Sequence, residues 1–153
     1  MQYWLVKSEP SCYSIGDLKK DKVTAWNDVR NDQARNSLRA MKKGDRLLFY
    51  HSSCKEAGIA GLAVVAKEAY VDPTQFVLSE DGYDPKSTLE NPRWSTVDIK
   101  FVEEFVSPLT LRHIKHDKNF ASMEVVKQGS RLSVQPVTEA HYKQIVAIKS
   151  KRE

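Results

Sequence analysis

Serines, histidines and carboxylates are the side chains that could act on a substrate, and none of them is spaced here as a known catalytic set. Ser8, Ser133 and His51 are far apart in the chain. There is no G-x-S-x-G turn to present a nucleophile and no familiar Cys/His spacing. Lys7 and Glu9 flank Ser8 and could in principle supply a base and an acid. His113 and His116 stand three apart beside Asp117, but two exposed imidazoles fit that spacing as well as a metal site, and a third ordered ligand is lacking. The six glycines are scattered, so no phosphate-cradling loop is present. The expectation is a protein without catalytic residues, metal or cofactor.

Binding chemistry is better provided for. Trp26-Asn27-Asp28-Val29-Arg30-Asn31 sets an indole, two amides and a guanidinium side by side, and Phe49-Tyr50-His51-Ser52-Ser53 combines two rings, an imidazole and hydroxyls. Just downstream, Arg30–Arg46 holds six basic and two acidic residues, while the rest of the chain holds 18 of each, so this short stretch carries the whole net charge of +4. A basic stripe of this kind is the electrostatic footprint of a nucleic-acid surface. A base drawn out of its stack regains stacking from rings and hydrogen bonds from amides, while cations hold the adjoining phosphates. Arg30, Arg35, Arg39 and Lys42 are the expected phosphate contacts. Trp26 is expected to belong to the base cage, not simply to the core.

The elements that must position these groups follow from periodicity. Gln2–Lys7 alternates apolar and polar residues and reads as a first strand, ended by Pro10. Ser14 introduces a short helix, and a better one spans Asp32–Lys43, with Ala34, Leu38 and Met41 on its buried face and Gly44 past its end. Arg35, Arg39 and Lys42 repeat that spacing one position on, forming a straight row. Asp32 is placed to act as the N-cap. Arg46–His51 and Ile59–Glu68 read as strands joined by a turn around Ala57-Gly58. A long loop then runs from Asp72-Pro73 to Asn91-Pro92, interrupted by the apolar Phe76–Leu78. Trp94–Phe105 is the clearest strand, followed by a short helix over Thr110–His116, a last strand over Arg131–Val134, and a helix over Thr138–Ile148. Short strands with inserted helices suggest a small barrel-like α+β fold.

At 153 residues the chain suits one domain, over 1–150, and it can bury enough surface to need neither metal nor disulfides. Hydrophobic residues at 41% and charged ones at 29% are ordinary for a soluble protein. The longest apolar run, Ile59–Ala66, is far too short for a membrane span. Tyr3–Val6 is cut off by Lys7-Ser8-Glu9-Pro10, so no signal peptide is expected at the start. Cys12 and Cys54 fit an intracellular protein.

Several blocks together carry a more specific likeness. They are Tyr3-Trp4-Leu5-Val6-Lys7-Ser8-Glu9-Pro10, Trp26 with Val29-Arg30-Asn31, Gln33-Ala34-Arg35-Asn36, Leu38-Arg39-Ala40-Met41, Phe49-Tyr50-His51-Ser52, Asn91-Pro92-Arg93-Trp94 and Arg131-Leu132-Ser133-Val134-Gln135-Pro136-Val137. In this order, over nearly the whole chain, they resemble the EVE domain family. The resemblance implies a PUA-like small β-barrel with peripheral helices, related to YTH readers, whose pocket takes a modified base such as methylated or hydroxymethylated cytosine. It implies a base-binding pocket at Lys7, Ser8, Trp26, Asn31, Tyr50, His51, Ser52, Trp94, Arg131, Leu132 and Ser133. Asp28 stands where the family pattern has glycine, and Asp32 where it has tyrosine or another ring. The expected function is a non-enzymatic, monomeric reader of modified DNA or RNA with no membrane partner, cytoplasmic if bacterial and nuclear if eukaryotic. The alternatives are a small PUA-like amidohydrolase acting on modified nucleosides, and a protein-interaction domain whose basic helix meets an acidic partner.

Overall fold

The computed structural model describes residues 1–152. Six strands form one mixed sheet: β1 (Tyr3–Ser8), β2 (Val23–Ala25), β3 (Arg46–His51), β4 (Gly58–Val71), β5 (Ser95–Thr110) and β6 (Val134–Val137). Their order across the sheet is β2-β5-β4-β3-β1-β6. β1 and β3 run parallel, and the other neighbours are antiparallel. Four helices join them: α1 (Ile15–Asp21), α2 (Asp32–Ala40), α3 (Leu111–His116) and α4 (Glu139–Arg152). The architecture is α+β and PUA-like. Its sheet stays open, because β2 and β6 stand at opposite edges instead of pairing to close a barrel.

Alternation along the strands sends side chains to two cores, one on each face. Trp4 and Val6 of β1 join Leu47 and Phe49 of β3 in a cluster covered by Ile15 and Leu18 of α1 and by Ala34 and Leu38 of α2. Leu5, Leu48 and Tyr50 point the other way and pack with Phe105, Ile114, Phe120 and Ile145. Among the described residues no helix is long and apolar enough to cross a membrane.

β2 is not expected from the sequence, and β4 and β5 run on to Val71 and Thr110, past the expected Glu68 and Phe105. Three further differences lie around α2 and the last strand. α2 ends at Ala40 and not at Lys43, because Met41 turns to an extended conformation and the buried Asp45 carboxylate reaches back to the Lys42 N–H at 3.0 Å. Gly44, at φ 92°, therefore serves the turn after the helix, where the Asp45 N–H donates to the Lys42 carbonyl at 2.9 Å. Lys42 falls outside the helix, so the basic row stops at Arg39. The last strand is Val134–Val137, shifted from Arg131–Val134. It pairs antiparallel with β1 at the sheet edge, where Pro136 opposite Trp4 is tolerated for want of an outer neighbour. The N-cap of α2 is Asn31, whose Oδ1 accepts from the Ala34 N–H at 2.9 Å, and Asp32 instead pairs with Arg35 at 3.1 Å.

Candidate nucleic-acid interface

A cleft of about 430 Å³ opens on the α1/α2 side of the molecule. Lys7 and Ser8 reach it from the end of β1, Cys12 and Tyr13 from the turn that follows, residues 24–30 from β2 and its exit, and Ser133 from the approach to β6. Trp26 is its largest ring. Its indole is 8% exposed and is met edge-on by Phe49 and Tyr13, with ring centroids 5.4 Å and 6.4 Å away. Trp26 is thus at once a cleft wall and a member of the core. Its main-chain N–H is fixed to the Val97 carbonyl at 2.8 Å.

The segment after Trp26 is held by a buried carboxylate. Asp72 is 0% exposed, and its Oδ2 accepts from the Asp28 N–H at 2.9 Å and from Arg30 Nη1 at 3.0 Å. Its Oδ1 accepts from the Thr74 N–H at 2.8 Å and from the Thr74 hydroxyl at 2.6 Å. Burial pushes the Asp72 carboxyl up, but the bonds from Thr74, Asp28 and Arg30 together outweigh it and hold the group below the usual range. Arg30 also donates to the Gly82 carbonyl at 2.8 Å and to the Thr74 hydroxyl at 2.9 Å. A Cβ at Gly82 would run into Asp28 Oδ1 and the Arg30 guanidinium, so glycine is what lets the two loops close on each other. Asp28 itself sits at φ 69°, in the left-handed region that explains why glycine suits this position.

Two polar groups in the cleft are left open. Asn27 lines it, and its buried side-chain oxygen has no hydrogen-bond partner. Lys7 lines it too, with its ammonium 5.6 Å from the Tyr50 ring centroid. Burial lowers the Lys7 pKa from the ordinary lysine value, against a smaller raising effect from Glu124. The hydroxyl of Ser8 is spent on the Tyr13 carbonyl at 2.7 Å. Glu9 is exposed and lies outside the lining, so the cleft does not bring Lys7 and Glu9 together as a base and an acid.

Of the other site residues expected from the sequence, Asn31, Arg131 and Leu132 line a neighbouring depression of about 280 Å³. Tyr50, His51 and Ser52 fall outside the cleft. Tyr50 is buried in the opposite core, and Ser52 donates its N–H to the Ser8 carbonyl at 3.0 Å. His51 Nε2 accepts from the Ile15 N–H at 3.0 Å and so braces the start of α1. That bond requires the neutral ring, and burial lowers the His51 pKa against a smaller opposite effect from Glu104. Trp94 is also outside the cleft. Its indole donates to Asp84 at 2.7 Å, and the guanidinium carbons of Arg30, Arg35 and Arg93 lie 5.2–5.6 Å from its ring centroid. Arg35 and Arg39 both donate to the Arg93 carbonyl, at 3.1 Å and 3.2 Å, and Arg39 also to the Ser95 hydroxyl at 2.9 Å. Tyr13, Thr24 and Asn27 are cleft residues that sequence reasoning did not select. Asn27 lay inside the aromatic–amide block, and only its open oxygen sets it apart.

Comparison with known proteins identifies the family and the fold. A family model described as EVE domain matches residues 2–148. Thymocyte nuclear protein 1 of Homo sapiens is 42% identical over 97% of this chain and 74% of its own length. The crystal structure of the human THYN1 protein in complex with 5-methylcytosine-containing DNA superposes with a TM-score of 0.91 at 40% identity, covering 97% of this chain and 98% of that one. A YTH domain from Zygosaccharomyces rouxii shares the fold at 15% identity, with a TM-score of 0.54 over 97% of this chain and 83% of that one.

Proposed function

The chain belongs to the EVE domain family, and from that membership we propose that it is a reader of DNA that holds one unstacked, 5-modified cytosine in the Trp26 cleft. The observation that carries this reading is the open, buried oxygen of Asn27 beside an aromatic wall. A buried acceptor without a partner costs about 1–3 kcal/mol, and a ligand donor such as the exocyclic amine of cytosine would satisfy it. Trp26 and Tyr13 would give an unstacked base new apolar surface to lie against and would accept a 5-methyl group. A base flips most readily when its pairing is already weak, so the cleft has to repay a few kcal/mol of unstacking. The human protein's complex with 5-methylcytosine-containing DNA supports the choice of polymer and base.

Lys7, Ser8 and Ser133 would line the backbone side of the base. The Asp72–Arg30 anchor would fix the height of the Asn27 amide, making Arg30 a positioning residue more than a phosphate contact. The reading is non-catalytic, because the Ser8 hydroxyl is already donated and Glu9 lies outside the cleft. Competition binding with matched oligonucleotides carrying cytosine, 5-methylcytosine or 5-hydroxymethylcytosine tests it. The 5-modified strands should bind more tightly and be recovered chemically intact, and Asn27→Ala should weaken binding of all three strands without lowering the melting temperature. Equal affinity for all three strands, or release of an altered base, would overturn the reading.

A further inference from the structure

The arginines that precede and follow the start of α2 are largely committed to the protein's own oxygens. Arg30 serves Asp72, Gly82 and Thr74, and Arg35 and Arg39 serve Arg93 and Ser95. A second depression, of about 460 Å³, lies between the β3–β4 loop and α3. Lys55, Arg112, Lys115 and His116 line it, and Glu56 is the one acid. Lys55, Arg112 and Lys115 are exposed, and among the described residues none of the three has an ion pair or other partner. Its floor is Ala57 and Leu111, half-buried at the edge of the second core. Three free cations over a shallow apolar floor match a passing phosphate chain.

The sheet itself sets the distance from the cleft. Ser8 pairs with His51, His51 with Gly58, and Gly58 with Thr110. Three interstrand steps of about 4.8 Å make roughly 14 Å along the end of the sheet, which is the least separation, because the cleft opens on the α1/α2 face and the second depression on the face of the other core. Phosphates of one strand advance about 3.4 Å per nucleotide along the axis of a duplex, so a run of about four nucleotides or more spans that separation. We propose that Lys55, Arg112 and Lys115 form the phosphate track for the DNA strand whose unstacked base enters the cleft, an assignment that rests on the base-reading function above. The track then fixes the direction of the strand across β1, β3, β4 and β5, and Glu56 limits its affinity by like-charge repulsion.

The test is the dependence of binding on salt, measured for the full chain with duplexes that differ only in one 5-methyl group. Each phosphate contact removed flattens the slope of log K against log salt by about 0.9. The triple variant Lys55→Ala, Arg112→Ala, Lys115→Ala should therefore flatten it by about 2–3 units, with the methyl preference unchanged. Glu56→Lys should steepen it by about one unit, while Arg35→Ala with Arg39→Ala should change it by less than one. All three cations are exposed, and an unchanged melting temperature would confirm that the fold is kept. An unchanged slope in both the triple variant and Glu56→Lys would overturn the track, as expected if this face served an acidic protein instead. Loss of slope in a protein that shows no methyl preference would sink the base-reading function while leaving the track standing.

Discussion

Removing the Asp72 carboxylate should damage the cleft from beneath, and the size of that damage follows from its partners. Asp72 is fully buried and accepts four hydrogen bonds, two of them from the main-chain N–H groups of Asp28 and Thr74 and one from the Arg30 guanidinium. In Asp72→Ala both N–H groups lose their acceptor and Arg30 loses its buried counter-charge, while keeping the Val29 and Gly82 carbonyls, the Thr74 hydroxyl, the Trp94 ring and a longer, 3.8 Å pair with the exposed Asp28. Breaking a buried pair from one side costs about 3–5 kcal/mol. At about 2–4 °C per kcal/mol for a domain of this size, the melting temperature should fall by roughly 6–20 °C. Asp72→Asn keeps an acceptor oxygen and should lose about half as much. Asp72→Leu combined with Arg30→Met removes the charge from both sides and should recover part of the loss, because the two residues are coupled. Urea unfolding of the three variants beside the unaltered protein measures these differences directly. A loss below about 1 kcal/mol for Asp72→Ala, with an unchanged denaturant slope, would refute the anchor. The pH dependence has a definite sign: the folded-state pKa is lowered, so the stabilisation is complete above the ordinary aspartate value of about 3.9 and is lost as pH falls through the lower folded value.

Trp26→Ala should cost about 3–5 kcal/mol of stability, because the indole belongs to the core as well as the cleft. Trp26→Phe should stay folded and lose part of the base affinity, which separates the two roles in one binding and melting series. For His51, whose folded pKa is lowered, stability should be full above the ordinary value of about 6.5 and fall as pH drops below it, levelling off beneath the folded pKa. His51→Gln should flatten that part of the melting-temperature profile, and an unchanged profile would show that the bond from the Ile15 N–H contributes nothing to it.

Elements fixed by local pattern were legible in the sequence, and those fixed by distant partners were not. Arg46–His51 has an apolar run between turn residues on both sides, and its bounds agree with β3. Ser14 could be read as a cap because both halves of its box lie within three residues. β2 has only three residues, too few to show a period of two, and it exists because Trp26 and Lys22 bond across to β5. The end of α2 is decided by the Asp45 side chain, which also takes the Trp4 indole N–H from 41 residues away. Reading Arg30 as a phosphate contact followed from its neighbours in sequence, whereas Asp72 and Gly82, 42 and 52 residues on, decide what it touches. Trp94 is similar: an aromatic residue in a distinctive block turns out to be tied down by Asp84 and by the buried amide of Gln75, which donates to its carbonyl at 2.8 Å. The basic patch at Lys55, Arg112 and Lys115 is formed by segments more than fifty residues apart, so charge counting along the chain passes over it.

The most direct test of the account is to observe the 5-methyl group itself in the bound state. A duplex carrying one 13C-methyl-labelled 5-methylcytosine, saturated with the protein, should show nuclear Overhauser effects from that methyl to the ring protons of Trp26 and Tyr13. Its Overhauser effects to the adjacent stacked bases should disappear at the same time. A methyl group that stayed close to its neighbouring bases and showed no effect to either ring would contradict the claim that the cleft holds an unstacked base.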